Sequence, residues 1–297
     1  MTEPTIHPIF EKQTSTWQYI VACPQTHEAV IIDSVLDYNQ SQSTISTITA
    51  DKLLELVNVH KYKVTRLLET HAHADHLTAA SYLQAQLQTY GSRVPICIGR
   101  RIRQVQDTFA GRYGVSPDEL INAFDHLLDD DETFRIGNLT AKVLHLPGHT
   151  PDHVGYLIGR NVFTGDSIFN PDVGSARCDF PNGDADALYR SMQRLLALPD
   201  EFQLYTGHDY PPSTTESSRE PMPFATVSEQ RKRNKHVGSG HEAFVKWREE
   251  RDSGLNEPRL LHQALQVNIR GGKLPRSPDG SHRTFLLVPV SLLQSLA

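Results

Sequence analysis

The segment His71-Ala72-His73-Ala74-Asp75-His76 places four potential metal ligands within six residues. It follows an apolar run over residues 64–69, which predicts a buried strand, and precedes residues 77–83, which predict a helix. Side chains alternate along an extended chain, so the imidazoles of His71 and His73 can point to the same side. A histidine-rich surface loop would explain one His-x-His pair. The added acid and third histidine favour a metal site.

Three later segments offer further ligands, each where a predicted strand runs into a loop. In each segment a glycine, which allows the chain to turn, precedes the polar residue: His149, Asp166 and His208. Any one of these residues alone would be interpreted as an ordinary loop residue. Together with the segment 71–76 they form one constellation, in which four strand ends each deliver an imidazole or a carboxylate.

Imidazole and carboxylate ligands support two kinds of chemistry. A zinc ion lowers the pKa of a bound water to about 7 and supplies hydroxide for attack on esters, thioesters, lactones or lactams. An iron(II) ion held by two histidines and one carboxylate leaves positions open for dioxygen and substrate. The ligand residues by themselves do not choose between these metals.

The elements that must position these ligands alternate between strands and helices, without repeats. Segments Thr16–Ala22 and 29–33 predict an opening hairpin. Residues 186–198 predict an amphipathic helix, with an apolar face made of Leu188, Met192, Leu195 and Leu196. The C-terminal section predicts three more helices and a last strand over residues 283–288. Strands in two groups, each followed by helices, fit two sheets with helices outside.

Composition describes an ordinary globular protein. With 297 residues and a formal net charge of −6, the chain offers no basic surface for nucleic acid. It contains no apolar run near the roughly 20 residues that span a bilayer, and its start lacks the features of a secretory signal. Three scattered cysteines argue against a disulfide framework. We expect a cytoplasmic protein with no nucleic-acid or membrane partner, and leave a mitochondrial location and a homodimer open.

The ligand order resembles the metallo-β-lactamase fold family, which has His-x-His-x-Asp-His, a later His, a later Asp and a final His. The resemblance covers roughly residues 15–210. It implies an α+β fold, an αββα sandwich of two mixed β-sheets flanked by helices. It also implies a catalytic domain over residues 1–210 and a C-terminal extension, 211–297, that packs on the same domain and completes the substrate pocket.

Downstream segments resemble persulfide dioxygenases within that fold family. Residues 177–180 and 188–191 are similar to their R-x-D-F and L-Y-x-S pattern, and residues 208–210 to their H-D-Y. Residues 229–234 and 268–272 resemble their E-x-R-x-x-N and N-x-R-x-G segments. Glyoxalase II resembles the chain at the metal loop but not in these segments. The resemblance implies substrate contacts at Arg177, Tyr210, Arg231 and Arg270.

Persulfide dioxygenases hold one iron through residues that correspond here to His71, His149 and Asp166. The other residues, which would orient those ligands and hold water or bind a second metal, are His73, Asp75, His76 and His208. Arg177 would face the glutathione moiety, or instead form a salt bridge with Asp179 or Asp184. The implied reaction uses one Fe(II) per chain and O2 to oxidise glutathione persulfide to sulfite and glutathione.

The alternative is a hydrolase of a thioester, lactone or lactam with one or two Zn(II) ions per chain. In a dinuclear zinc site the first zinc would be bound by His71, His73 and His149. The second zinc would be bound by Asp75, His76 and His208. The carboxylate of Asp166 would bridge the two ions.

Overall fold

The computed structural model describes residues 2–88, 93–212, 218–277 and 283–290, and within them the strands form two six-stranded mixed sheets and a small third one. In spatial order the first sheet contains β1 (Thr5–Glu11), β2 (Thr16–Ala22), β3 (Glu28–Ile32), β6 (Lys63–Leu68), β8 (Ile96–Gly99) and β9 (His126–Leu128). The second contains β10 (Thr133–Ile136), β11 (Leu139–His145), β12 (Val154–Ile158), β13 (Asn161–Gly165), β14 (Gln203–Thr206) and β15 (Phe224–Thr226). The small sheet contains β5 (Thr44–Ser46), β4 (Val35–Asn39) and β7 (Leu77–Thr78).

Helices cover the outer face of each large sheet. The helices over the first sheet are α1 (Ile48–Val59), α2 (Ala80–Gln88), α3 (Ile102–Phe109) and α8 (Leu261–Asn268). Those over the second sheet are α5 (Ala185–Leu196), α6 (Val227–Arg233) and α7 (His241–Asp252). A 3-10 turn, Gly111–Tyr113, and the short helix α4 (Pro117–Ile121) connect α3 to β9. The layer order is therefore αββα, as expected.

The two-residue repeat of a strand explains how both sheets are buried on both faces. Along β2, Tyr19 and Val21 pack between the two sheets, whereas Ile20 and Ala22 pack against the helices. The phenol of Tyr19 reaches across the sandwich and donates a hydrogen bond to the carbonyl of Thr206, at 2.5 Å. The interior between the sheets is therefore largely apolar.

The C-terminal section divides between the two helical layers instead of forming a separate core. Strand β15 extends the second sheet, α6 and α7 pack on that sheet, and α8 packs on the other one. None of the described helices has the length and apolarity needed to cross a membrane. The three cysteines are buried and unpaired, as expected.

The structure confirms the opening hairpin, in which β2 and β3 pair antiparallel, and adds the unpredicted edge strand β1 before it. The helix predicted over residues 77–83 is wrong at its start, because residues 77–78 form β7 and α2 begins only at Ala80. Tertiary contacts hold Thr78 in the strand. Its hydroxyl donates to Glu69 at 2.6 Å, and its backbone N–H donates to the side chain of Asn268 at 2.9 Å.

The last predicted strand, over residues 283–288, is also wrong. These residues are described and contain no strand. The backbone of Leu287 pairs with a side chain instead: its N–H donates to the amide oxygen of Gln266 at 2.9 Å, and its carbonyl accepts from the amide nitrogen at 2.8 Å. None of the described strands pairs with this segment.

Candidate metal centre

The predicted ligands meet at one end of the sandwich. Each comes from a loop that follows a strand: segment 71–76 follows β6, His149 follows β11, Asp166 follows β13 and His208 follows β14. The donor atoms of His71, His149 and Asp166 lie within 4.8 Å of one another, and we call this set the triad. Those of His73, Asp75, His76 and His208 form a second set of the same span, which we call the second group.

Glycine is required next to two of the ligands. Gly165, with φ of 48°, precedes Asp166, and a Cβ there would lie 2.6 Å from the hydroxyl of Thr70. Gly148, with φ of 141°, precedes His149, and a Cβ there would lie 2.3 Å from the Cα of Leu188. Left-handed backbone and close packing both exclude a side chain at these positions.

Both imidazoles of the triad are oriented through Nδ1. His149 Nδ1 donates to the carbonyl of Arg177 at 2.7 Å. His71 Nδ1 donates to the hydroxyl of Thr70 at 3.0 Å, and that hydroxyl donates to Asp33 at 2.9 Å. Such partners fix the tautomer of a ligating histidine and leave Nε2 for the metal. The triad therefore presents two Nε2 atoms and one carboxylate.

The second group is held mainly by charge. His208 Nε2 lies 3.2 Å from a carboxylate oxygen of Asp75, and neither ring nitrogen of buried His76 has a hydrogen-bond partner. One oxygen of Asp166 lies 3.7 Å from His149 Nε2 and 3.6 Å from His208 Nε2. Asp166 thus stands between the two groups, where it can serve the triad alone or bridge two ions.

Asp33, which the sequence reasoning missed, supports both groups. It accepts hydrogen bonds from the backbone N–H of Thr70 at 2.7 Å and from His73 Nε2 at 3.1 Å. Its φ of 52° is unusual for a residue other than glycine. Backbone strain of this kind costs roughly 1–3 kcal/mol and persists where the surroundings impose it. A polar residue that ends the apolar run of β3 was the available signal.

Asp152 and His153 were missed as well, although they follow His149 almost directly. His153 Nε2 accepts the backbone N–H of Asp166 at 2.9 Å, and its ring stacks on His71 with centroids 4.7 Å apart. Asp152 accepts the backbone N–H of Ala72 at 2.9 Å. Both residues therefore position the loops that carry the ligands.

The pKa shifts of His71 and Asp75 suit a bound cation, whereas that of His73 favours its own charged form. Burial and the neighbouring His73 and His153 hold the pKa of His71 well below its usual range, so its ring is neutral. Burial opposes the ionised form of Asp75, but His208 and His76 outweigh it and lower its pKa. Burial would lower the pKa of His73, but Asp33 and Glu69 raise it.

Several buried polar atoms of the site have no hydrogen-bond partner, including Asp166 Oδ1, His73 Nδ1, His208 Nε2 and both ring nitrogens of His76. Buried polar atoms without partners are rare in folded proteins. Here they are all possible metal ligands and are concentrated in one place. The residues present therefore fit a bound metal ion.

A cavity of about 420 Å³ opens over the triad. Its metal end is lined by His149, Asp166 and Asp75, and both Arg177 and Tyr210 lie in its wall. Arg177 also forms an ion pair with Asp179, the alternative that the sequence left open, and donates to the carbonyl of Asn256 at 2.8 Å. Its place at the cavity is compatible with a substrate contact, which stays a prediction.

Two predicted substrate contacts lie elsewhere. Arg231 does not line the cavity; its guanidinium bonds to Asp200 and to the carbonyls of Leu196 and Leu198, where it caps the end of α5. Arg270 is buried, pairs with Glu119 at 2.8 Å and lines a different cavity. We therefore withdraw both residues as substrate contacts, because their donors are already used.

The C-terminal section braces the metal loops from behind. Asn268 donates to the carbonyls of His73 at 2.7 Å and His76 at 2.8 Å. Asp252 forms a buried ion pair with Arg248 and accepts the N–H of Cys178 at 2.7 Å. Cys178 directly follows Arg177, whose carbonyl orients His149. A hydrogen bond, a peptide bond and a second hydrogen bond therefore connect Asp252 of α7 to His149.

This αββα sandwich, with histidine and aspartate ligands at its strand ends, defines a class of metal-dependent enzymes. Residues 13–208 match the model of the Metallo-beta-lactamase superfamily, and the chain belongs to that superfamily. The chain is 40% identical over 289 residues to "Glyoxylase B2" of Dictyostelium discoideum, covering 96% of each protein. It is 40% identical over 297 residues to "Beta-lactamase hydrolase-like protein" of Xylella fastidiosa, and spans only 66% of that longer relative.

A further similarity joins the chain to proteins named ETHE1. It is 27% identical over 270 residues to human "Persulfide dioxygenase ETHE1, mitochondrial", covering 90% of this chain and 88% of that one. The solved structure of ETHE1 from Myxococcus xanthus superposes with a TM-score of 0.70 at 28% identity, covering 91% of this chain and all of that one. The Xylella fastidiosa relative at 40% identity thus has a hydrolase-like name, and the human relative at 27% identity has a dioxygenase name.

Proposed function

We propose that the protein is an iron(II) dioxygenase that oxidises the outer sulfur of glutathione persulfide. Persulfide, O2 and water are converted to glutathione and sulfite, with release of protons. The division of the ligands is the observation that carries this proposal. His71, His149 and Asp166 form a set of two histidines and one carboxylate without His73, which a dinuclear zinc site would need beside His71 and His149.

The residues of the chain have separate tasks in this reaction. His71, His149 and Asp166 would hold the iron, which supplies coordination positions for O2 and for the persulfide sulfur. The hydroxyl of Thr70 and the carbonyl of Arg177 accept hydrogen bonds from Nδ1 of His71 and His149 and so fix the orientation of both rings. The cavity over the triad would position the substrate sulfur beside the iron, so that the reacting groups are held close together.

The second group would manage water and protons. His208 and Asp75 lie 3.2 Å apart and directly beside Asp166. Burial lowers the pKa of His208, but Asp166 and Asp75 outweigh this and raise it. A histidine with a raised pKa beside two carboxylates favours its protonated form, which can donate a hydrogen bond or a proton to a group bound next to Asp166.

A second candidate function is hydrolysis of a thioester, lactone or lactam with zinc. Asp166 lies about equally far from His149 and His208, as a bridging carboxylate would. Neither ring nitrogen of His76 has a hydrogen-bond partner, so one of them is free to bind a second ion. The name of the Xylella fastidiosa relative at 40% identity also favours a hydrolase.

Metal analysis and two assays separate these functions. We expect freshly purified protein to contain iron near one equivalent per chain, and to consume O2 and form sulfite with glutathione persulfide. A chelator should abolish this activity and iron(II) should restore it. Two tightly bound zinc ions per chain, together with turnover of a glutathione thioester and no sulfite formation, would refute the dioxygenase proposal.

A further inference from the structure

The outer part of the cavity over the triad is strongly cationic, although the chain as a whole carries a formal charge of −6. Five basic side chains line it: Arg177, Lys235, Arg248, Arg251 and Arg259. The carboxylates that line it, Asp75 and Asp166, belong to the metal end. The charge of the lining side chains therefore changes from negative at the metal end of the cavity to positive at its mouth.

These five cations fall into two sets. Arg177 and Arg248 each form an ion pair, with Asp179 and Asp252 respectively. In the described part of the chain, no carboxylate lies within 4.0 Å of the charged atoms of Lys235, Arg251 or Arg259. We call these three residues the rim. Arg259 has one neutral partner, the side-chain oxygen of Gln40, at 3.3 Å.

The rim cations stand on a fixed backbone. The N–H of Lys235 donates to the carbonyl of Pro171 at 3.1 Å, and the neighbouring His236 accepts the N–H of Ser175 at 3.1 Å. Arg251 directly precedes Asp252, whose ion pair is buried. Scattered surface cations are common, but these three come from separate segments and converge on one cavity.

We propose that the rim recognises carboxylates of the thiol carrier that are remote from the sulfur. This inference rests on the proposed function, because it assumes that the sulfur is bound at the triad. A cavity of about 420 Å³ is far larger than a persulfide group needs, since a water molecule occupies about 30 Å³ in the liquid. Low-dielectric walls around unpaired cations also concentrate an anionic ligand at the mouth.

The rim would thus determine specificity by charge. A carrier with carboxylates at both ends, such as a γ-glutamyl peptide thiol, can meet Lys235 on one side and Arg251 or Arg259 on the other. The persulfide of a small neutral thiol would lack these contacts. Planar guanidinium groups suit carboxylates because they can donate two parallel hydrogen bonds.

The test is a calorimetric titration of the purified protein with reduced glutathione, which avoids any dependence on turnover. We expect Lys235→Gln, Arg251→Gln and Arg259→Gln each to raise Kd about two- to fivefold, the usual range for exposed ion pairs. The triple variant should raise it at least about tenfold. Raising the salt concentration should weaken binding by the parent and leave the triple variant almost unaffected.

Lys246→Gln is the matched control, because Lys246 is an exposed lysine of α7 that pairs with Glu250 at 3.8 Å and does not line the cavity. It should bind glutathione with the parent Kd. Two further ligands test the chemistry: glutathione with both carboxylates amidated should bind weakly to every variant. Coenzyme A, whose anionic groups are phosphates, should bind more weakly than glutathione.

Equal Kd values for glutathione in the parent and the triple variant would overturn the rim proposal. Tighter, rim-dependent binding of coenzyme A would overturn it as well, in favour of phosphate recognition. These outcomes are independent of the metal and oxygen assays. A protein that binds glutathione through the rim but hydrolyses its thioester would refute the dioxygenase proposal and leave the rim proposal intact.

Discussion

The floor and the wall of the cavity are built on opposite principles. The floor consists of the triad and the second group, whose side chains are mostly buried and aimed by short hydrogen bonds such as that from His149 to the carbonyl of Arg177. The C-terminal wall, residues 234–259, presents exposed cations in front of a buried backing formed by Arg248 and Asp252. The floor suits a metal ion, and the wall presents charge that in our proposal meets a larger ligand.

This difference suggests that the floor serves metal binding and turnover, whereas the wall serves the choice of substrate. Ligand atoms must be held within fractions of an ångström, so the floor needs orienting partners for each ring. Carboxylate recognition at a solvent-accessible rim tolerates mobile side chains, provided that the backbone carrying them is anchored. Substitutions in the floor should therefore change metal content or turnover, and substitutions in the wall should change stability or substrate affinity.

The largest effect should come from the triad. If the triad holds one iron as proposed, His149→Ala removes one of three ligands, so we expect iron content to fall to nearly none and turnover to fall at least about a thousandfold. Elemental analysis of protein purified in parallel with the parent measures this. His126→Ala, at an exposed histidine paired with Glu132, is the control and should retain metal. Full iron content in the His149 variant would remove it from the ligand set.

The next largest effect should come from the backing of the wall. Asp252→Ala leaves the buried guanidinium of Arg248 without its partner, which typically costs about 3–5 kcal/mol in the free energy of unfolding. Urea denaturation measures the loss. Glu250→Ala, on the exposed side of the same helix, should change it by less than about 0.5 kcal/mol. Equal losses in the two variants would mean that the ion pair does not anchor α7.

A smaller effect is expected for the second group. If one iron is bound by the triad, His208→Ala should keep its metal while turnover falls about 10- to 100-fold, the usual cost of losing a group that orients ligands or water. Iron content and sulfite formation are measured on the same sample. Complete loss of metal from this variant would contradict the one-ion model and favour a dinuclear site.

Arg177 lies where floor and wall meet, and its effect should fall on substrate affinity. Its guanidinium also forms an ion pair with Asp179, so only part of its hydrogen-bonding capacity is available to a substrate. We therefore expect Arg177→Ala to raise KM for glutathione persulfide about tenfold, near the lower limit for a hydrogen bond to a charged group. Arg177→Lys should recover only part of this loss, because an ammonium group cannot make the forked contact. Loss of iron or of the fold in Arg177→Ala would instead assign it a structural role.

The smallest effect concerns pH and the wall. Burial, with Lys235 and Arg248, lowers the pKa of His236 to about 4, from a usual value of 6.5. The unfolded chain binds this proton more readily, so the stability that neutral His236 contributes is present above about pH 6.5 and lost as pH falls towards 4. In His236→Gln, the free energy of unfolding should fall less steeply over this range. An unchanged slope would show that His236 titrates normally.

Much of the floor could be predicted from the sequence, because a metal site needs particular residue types at strand ends. His71 to His76, His149, Asp166 and His208 were recognisable by type, spacing and preceding glycine, and the structure brings all of them together. The αββα layering followed from the same alternation of strands and helices, since each apolar face must be covered.

The partners that aim those ligands could not be predicted, because they come from distant parts of the chain and have no motif. Asp33 reaches Thr70 and His73 across 37 and 40 residues, and Asn268 reaches His73 across 195. Local pattern also failed where tertiary contacts outweighed propensity, as in β7 and at residues 283–288.

The wall depended on tertiary structure most of all. The sequence shows Arg231, Arg251, Arg259 and Arg270 simply as arginines of one C-terminal section, and motif resemblance selected Arg231 and Arg270 as substrate contacts. Packing decided otherwise: it directed Arg231 to the end of α5 and Arg270 to Glu119, and left Arg251 and Arg259 at the cavity. Residue type determines that a guanidinium can bind an anion, but only the folded chain determines which guanidinium has no carboxylate partner among the described residues.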